Sequence, residues 1–116
     1  MSFNTDILDA ALGRRRQEHE QQRLMALEGT IQWLETQGGQ YGINRAYLFG
    51  SVLWPYRFIP RSDVDVAVEQ IKPESFFVAL AALSEALERD IDLVELSRCH
   101  FADRIRQQGM LWKRKI

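Results

Sequence analysis

The sequence has little of several features that would place a protein in a special class. Its 116 residues include one cysteine, Cys99, which excludes an internal disulfide framework and favours a reducing, cytoplasmic compartment. No apolar run approaches the roughly 20 residues needed to span a bilayer, and residues 1–12 lack the pattern of a secretory signal. Neither sign of charge dominates, because 15 Lys and Arg face 16 Asp and Glu. We therefore expect neither membrane insertion nor direct nucleic-acid binding.

The composition that remains is that of an ordinary globular protein. Hydrophobic residues make up 46% of the chain and charged residues 27%, which is enough apolar material for a core. The length suits one domain. We expect that domain to cover residues 1–116, with an N-terminal helical part over 1–39 and a second part over 43–112.

Apolar spacing predicts three helices. A helix over 13–37 carries a stripe at three- and four-residue steps and ends at Gly38-Gly39; the stripe consists of Leu24, Leu27, Ile31 and Leu34. A second helix begins at Pro73 and buries Phe76, Leu80, Leu83 and Leu87. A third covers 98–108, with Phe101 and Ile105 on one face and Gly109 at its end.

Short apolar and β-branched runs predict strands between these helices. They cover residues 43–49, 63–69 and 90–96, and a short last strand covers 110–112. The order of elements predicts the α+β class, a small mixed β-sheet packed by helices.

Three carboxylates fall where core strands rarely tolerate charge. Asp63 and Asp65 are two residues apart and so share one face of their strand, while Asp92 lies inside an apolar strand. If the two strands are neighbours, the three side chains converge on one patch. Clustered carboxylates repel one another unless a cation lies between them, and hard oxygen ligands suit Mg²⁺ or Mn²⁺.

A Gly-Ser pair directly follows the first strand. Gly50 allows a sharp turn and a close approach of a ligand to the backbone, and Ser51 can cap the turn that follows. Backbone N–H groups at such a turn are able to bind phosphate oxygens.

In combination, these features resemble the nucleotidyltransferase superfamily related to DNA polymerase β, and especially its minimal (MNT-type) members. The resemblance runs from about residue 43 to residue 112 and is carried by four segments: Leu48-Phe49-Gly50-Ser51, Ser62-Asp63-Val64-Asp65-Val66-Ala67-Val68, Ile91-Asp92-Leu93-Val94-Glu95-Leu96 and Ile105-Arg106-Gln107-Gln108-Gly109-Met110-Leu111-Trp112.

The resemblance implies a polymerase β-like fold and an ATP-dependent reaction. Gly50 and Ser51 would hold the β- and γ-phosphates of ATP, and Asp63 and Asp65 would bind two Mg²⁺ ions. Asp92 would complete the second ion's site and help to deprotonate an acceptor hydroxyl, which attacks the α-phosphorus and releases pyrophosphate. Residues 43–112 would then be the catalytic core.

One stretch departs from the family pattern. Relatives usually carry small residues and an Arg-Gly pair after Gly-Ser, whereas this chain has Val52-Leu53-Trp54-Pro55-Tyr56-Arg57 and a spacing to Asp63 that is one residue longer. Pro55 limits the helix after Ser51 to about one turn. Arg57 or Arg61 is the candidate for the missing phosphate contact. The departure bears on triphosphate affinity and turnover more than on metal binding.

The same connection is unusually apolar for an exposed loop. Trp54, Tyr56, Phe58 and Ile59 either cover the end of the sheet or form an interface with a partner. Trp33 and Trp112 are assigned to core or edge packing.

The resemblance also implies a partner. Many MNT proteins are antitoxins encoded beside a helical HEPN partner, and some transfer AMP to a tyrosine hydroxyl of that toxin. The leading hypothesis is therefore AMP transfer to a HEPN-type protein. Two alternatives are an antitoxin that neutralises its partner by binding alone, and nucleotidyl transfer to a small molecule such as an aminoglycoside. So small a core is expected to complete its acceptor site through a homo-oligomer or another protein.

Overall fold

The N-terminal helix is longer than the sequence pattern predicts. The computed structural model describes residues 5–115, so residues 1–4 and 116, the ends of the predicted domain, lie outside the described residues. Helix α1 covers Thr5–Gln37 and is followed by a 3₁₀ turn at Gly38–Tyr41, which confirms the predicted end. The predicted start at residue 13 is wrong, because the helix already includes residues 5–12, which are exposed.

The buried side of α1 also differs from the predicted stripe. Leu34 is fully buried, but Leu24 is 47% exposed and Leu27 and Ile31 are only partly buried. The side that faces the body consists of Arg23, Ala26, Thr30, Trp33 and Leu34. The prediction failed at Leu24 because Arg23, Ala26 and Thr30 occupy the true contact positions and two of them are polar.

Four strands form one sheet. They are β1 (Arg45–Phe49), β2 (Val64–Val68), β3 (Ile91–Glu95) and β4 (Met110–Lys113), in the order β3-β2-β1-β4. Strand β1 is antiparallel to β2 and β4, whereas β2 and β3 are parallel because helix α2 (Phe76–Leu87) crosses over between them. This mixed sheet packed by helices confirms the predicted α+β class.

The two shorter helices follow 3₁₀ turns. Helix α2 begins after the turn Pro73–Ser75 and buries Leu83, while the other residues of its predicted face pack partly against the core. Helix α3 covers Ala102–Gln108 and follows a turn at Leu96–Arg98, so the predicted start at residue 98 is too early. Ile105 is buried as predicted, but Phe101 is 41% exposed because it precedes the helix.

The two faces of the sheet are covered differently. One face carries an apolar cluster that packs under α1 and α2 and contains Leu48, Val64, Val66, Val68, Leu93 and Trp112. The other face carries a smaller cluster, in which Tyr47 and Ala67 pack with Leu96 and with Ala102 and Ile105 of α3. Helix α3 has only seven residues, so it covers only part of this face. Within residues 5–115, no helix has the length and apolar character needed to cross a bilayer.

Candidate active site

Strand pairing brings two of the predicted carboxylates together. Asp65 of β2 is directly opposite Asp92 of β3 in the parallel ladder, and their side chains are close enough to share a hydrogen bond. Asp63 immediately precedes β2 on an exposed turn and interacts electrostatically with Asp65. The neighbouring-strand arrangement that the site requires is therefore present.

The Gly-Ser turn lies against the same carboxylates. Phe49 pairs with Asp65 across β1 and β2, so the next residue, Gly50, sits beside the Asp65 side chain. Gly50 has a φ of +76°, and a Cβ added at this position would overlap the Asp65 carboxylate. Both the backbone conformation and the close approach therefore require glycine here. Turn and carboxylates form one site.

The electrostatics of the site show an excess of negative charge. Burial of the Asp65 carboxyl, together with the charges of Asp92 and Asp63, raises the pKa of Asp65 to about 6. Ionised Asp65 is thus disfavoured in the folded protein, and a cation would relieve the repulsion.

The residues present suit a divalent cation whose remaining ligands are waters or phosphate oxygens. Within residues 5–115, none of the three carboxylates forms an ion pair with Lys or Arg, and no three His, Cys, Asp or Glu side chains form a preassembled metal cluster. Mg²⁺ commonly takes one or two carboxylates and keeps waters or phosphate oxygens as its other ligands. Paired oxygen donors beside an open glycine turn match that requirement.

The two remaining predicted residues are placed differently. Ser51 is half-buried in the 3₁₀ turn Gly50–Leu53, which ends after four residues, as Pro55 predicts. Arg57 is exposed beyond the next turn, and its side chain makes no hydrogen bond or ion pair within the described part of the chain. The structure thus brings Ser51 to the site with Gly50 and leaves Arg57 on the surface of the connection.

The connection between Ser51 and Asp63 is held by side chains that the sequence analysis missed. Buried Arg23 of α1 donates a hydrogen bond to the Val52 carbonyl at 3.0 Å and forms an ion pair with Glu20 at 3.0 Å. The Glu20 carboxylate also accepts a 2.6 Å hydrogen bond from the Tyr56 N–H. These contacts, the Arg23 side chain first, lower the pKa of Glu20. We call the pair of Glu20 and Arg23, which holds the connection at Val52 and Tyr56, the clamp. An arginine in phase with the core-facing positions of α1 is the signal that could have revealed it.

A second arginine holds the other end of the connection. Arg89 donates hydrogen bonds of 2.9 Å to the carbonyls of Pro60 and Ser62, and its guanidinium lies 4.5 Å from the centre of the Phe58 ring. Burial lowers the pKa of Arg89. The segment leading into Asp63 is therefore fixed by α1 at one end and by the α2–β3 turn at the other.

The structure confirms one interpretation of the apolar connection for Phe58, and the partner interface stays a prediction for the exposed residues. Phe58 is buried in the larger cluster and covers the sheet, as one interpretation requires. Trp54 is 56% exposed, Tyr56 is 68% exposed, and Ile59 is also exposed. Tyr56 moreover has a φ of +66°, a conformation that costs free energy for a residue with a side chain. Trp33 and Trp112 are buried, as predicted.

Comparisons with known proteins give one partial likeness. No family model and no curated protein matches the chain. A solved structure, described as the crystal structure of the toxin-antitoxin MntA-HepT, is similar to this chain with 26% sequence identity and a TM-score of 0.44. The likeness covers 61% of this chain and 57% of the length of that one.

Proposed function

We propose that this chain is a Mg²⁺-dependent nucleotidyltransferase that transfers AMP from ATP to a hydroxyl of a HEPN-type partner protein and thereby acts as an antitoxin. One observation carries the proposal: Asp65 and Asp92 pair across parallel strands directly beside a glycine turn that no larger residue could form. This arrangement suits a bound triphosphate next to a metal-binding pair of carboxylates. The sequence resemblance supplies the class of reaction and the class of partner.

Each residue has a role that follows from its place. Asp63 and Asp65 would bind two Mg²⁺ ions, and Asp92 would complete the second ion's site; the bound ions would neutralise phosphate charge and stabilise the attacking and leaving oxygens. Gly50 and Ser51 would present the N–H groups of their turn to the β- and γ-phosphates, and the absence of a side chain at Gly50 lets that turn lie directly against the Asp65 carboxylate. Burial and the neighbouring carboxylates raise the pKa of Asp65, and a bound cation would favour the ionised form of its carboxyl.

Asp92 would act on the acceptor. It is exposed on the edge strand β3, where an incoming hydroxyl can reach it. Asp92 takes the hydroxyl proton, and the oxygen forms a bond to the α-phosphorus. The bond from that phosphorus to the β-phosphate bridging oxygen breaks, and its electrons leave with pyrophosphate.

The first test measures nucleotide binding. Thermal unfolding is recorded with Mg²⁺ and a non-hydrolysable ATP analogue for the wild type, for Asp65→Asn and for Asp9→Asn, the same change at an exposed position of α1. Ligand at about a hundred times its dissociation constant stabilises by roughly 2.7 kcal/mol. We expect this ligand-induced shift in the wild type and Asp9→Asn but not in Asp65→Asn. No shift in the wild type at millimolar analogue would contradict triphosphate binding.

The second test measures transfer. The chain is co-expressed with a HEPN-type partner protein, and the partner is examined by mass spectrometry. We expect AMP additions on the partner that disappear with Asp63→Asn. An unmodified partner, under conditions where the ATP analogue binds, would contradict the proposed reaction.

A second candidate function is neutralisation by binding alone. It is favoured by the exposed, unpaired Arg57 and by a glycine turn that ends after four residues, both of which weaken the case for tight triphosphate binding. In that case Asp65→Asn leaves neutralisation of the partner intact, whereas Trp54→Ala weakens it. Neutralisation assays with these two variants separate the candidates.

A further inference from the structure

The N-terminal half of α1 extends away from the body of the protein. The first residue of this helix with a described contact to the connection is Glu20, so residues 5–19 project for about 22 Å. Their side chains are exposed except at Gly13 and His19, which are half-buried. This projection accounts for the longest dimension of the molecule, 65 Å against 27 and 25 Å.

The projecting segment continues the core-facing side of the helix. Leu8, Leu12 and His19 precede Arg23 by steps of four, seven and four residues, which keeps all four positions on one side of α1. Arg23 packs against the body, whereas Leu8 and Leu12 are close to half exposed and have no partner surface within residues 5–115. The apolar side thus runs beyond the part of the helix that the body covers.

The exposed aromatic connection lies at the foot of this projection. Glu20 accepts the Tyr56 N–H, so Tyr56 and its neighbour Trp54 lie where α1 leaves the body. Leu8 and Leu12 on one side and Trp54 and Tyr56 on the other therefore line an inside corner, which we call the corner surface. The clamp of Glu20 and Arg23 fixes the aromatic side before any partner arrives, which lowers the entropy cost of binding.

The charge around the corner surface is positive. Exposed Arg15 and Arg16 flank the stripe of Leu8 and Leu12 on α1, exposed Arg57 follows Tyr56, and none of the three arginines forms an ion pair within residues 5–115. Glu20, the acidic residue that contacts the connection, is already paired with Arg23. The other acidic residues near this stripe, Asp9 and Glu18, lie farther round the helix from it than the two arginines. A matching partner therefore needs negative charge at its rim.

We infer that the corner surface docks an amphipathic helix of a partner protein, with an apolar stripe flanked by acidic residues. A helix fits because apolar residues at helical spacing on α1 pack best against another helical stripe. The acidic flanks follow from the three arginines Arg15, Arg16 and Arg57. This inference rests on the proposed function for the existence of a protein partner but is independent of catalysis, so Asp65→Asn is expected to leave docking unchanged.

The test uses two synthetic helical peptides of about 20 residues, equal in their leucine stripe. One carries Glu on both flanks and the other carries Lys at the same positions. Binding to the full chain is followed by fluorescence anisotropy of labelled peptide. Trp54 provides a second readout, since it is exposed and the other two tryptophans, Trp33 and Trp112, are buried. We expect the acidic peptide to shift Trp54 emission to the blue and to bind at least about tenfold more tightly than the basic one.

Matched variants locate the surface. Leu12→Glu is expected to weaken the acidic peptide by about tenfold or more, because it adds negative charge and removes an apolar contact. Ile7→Glu makes a similar change on the opposite side of the same helix, at a residue that is 70% exposed, and is expected to alter binding by less than about twofold. Circular dichroism checks that both variants keep their helix.

Four outcomes would overturn the inference. They are equal binding of the acidic and basic peptides, equal effects of Leu12→Glu and Ile7→Glu, tighter binding of a single-stranded oligonucleotide than of the acidic peptide, and a concentration-dependent dimer in sedimentation velocity that Leu12→Glu abolishes. The third would assign the corner surface to nucleic acid and the fourth to a second copy of the chain. If peptide docking persists while Asp65→Asn loses nucleotide binding, docking and catalysis are separate properties.

Discussion

The two faces of the sheet differ in how completely the helices cover them. Under α1 and α2, strand residues such as Leu48, Val64 and Val66 are fully buried, and the one carboxylate among the strand residues of this face is half-buried Glu95 at the end of β3. On the opposite face, α3 packs over Tyr47 and Ala67 but leaves Asp65 half-buried and Asp92 exposed. Charge is tolerated where the covering helix is too short to exclude solvent. The length of the covering helix α3, as well as the strand sequence, therefore decides where carboxylates on the sheet can reach solvent.

The largest expected effect breaks the covered face. Leu48→Ala removes a side chain that is fully buried between β2 and β4 and should lower the free energy of unfolding by about 3 kcal/mol. The matched control is Leu111→Ala on β4, where the side chain is 49% exposed and the loss should stay below about 1 kcal/mol. Urea unfolding of both variants measures the difference. Equal losses would mean that the two faces are not packed differently.

The next effect concerns the clamp that joins the covered side to the site. Arg23→Met leaves the buried Val52 carbonyl without its hydrogen-bond donor, which should cost about 2 kcal/mol, and it also removes the cation beside Glu20. Iodide should also quench Trp54 more readily, because the connection loosens. Arg104→Met, at an exposed arginine of α3, is the control and should change neither quantity. Unchanged quenching in Arg23→Met would show that Arg23 does not hold the connection.

A smaller effect of opposite sign is expected on the uncovered face. Because the folded pKa of Asp65 is about 6, above its ordinary value of 3.8, the folded protein binds this proton more tightly than the unfolded chain does. Ionisation of Asp65 therefore costs stability as pH rises from about 4 through about 6. Asp65→Asn should stabilise the metal-free protein above pH 6 by on the order of 1 kcal/mol, a value reduced by solvent screening of the half-buried group.

The measurement for Asp65→Asn is a series of urea unfolding curves between pH 4 and pH 8 without divalent metal. The stabilisation should disappear near pH 4, where Asp65 is protonated in the wild type. Asp9→Asn, at an exposed position of α1, should show no such pH dependence. A destabilised Asp65→Asn at pH 8 would contradict the excess of negative charge inferred for the site.

The smallest effect concerns the turn where α2 ends and the chain enters β3. Glu88 has a φ of +51° at the end of α2, a conformation that glycine adopts without strain. Glu88→Gly should stabilise the fold by up to about 1 kcal/mol, whereas Glu85→Gly inside the helix should destabilise it by a similar amount. Thermal unfolding measures whether each variant is more or less stable than the wild type. The same sign for both variants would mean that Glu88 is unstrained.

Local patterns in the sequence predicted most of the elements. The alternation around Val64–Val68 and the apolar run of Arg45–Phe49 identified strands within two residues, because strand residues are coded by their nearest neighbours. The glycines that end α1 and α3 were located for the same reason. Residues 5–12 were missed, because the stripe that located α1 begins at Leu24 and, within residues 5–12, Leu8 and Leu12 are the only apolar residues that continue the core-facing side.

The site was predictable where a motif carried it and unpredictable where distant residues formed it. Asp63, Asp65, Asp92 and Gly50 follow from the strand pattern and the resemblance. The clamp on the connection joins Arg23 to Val52, 29 residues apart, and Glu20 to Tyr56, 36 apart. No local spacing encodes such contacts, and residues 52–62 lack a periodic pattern that would predict their conformation.

The sequence by itself determined which side chains could bind a cation and which strands would carry them, because alternation along a strand fixes the face of each residue. The tertiary structure decided that β2 and β3 are parallel neighbours, so that Asp65 meets Asp92 and its pKa rises to about 6. It also decided that Trp54 and Tyr56 are displayed while Phe58 is buried. Both outcomes depend on contacts between residues far apart in the chain, whose free energies exist only once the elements have packed.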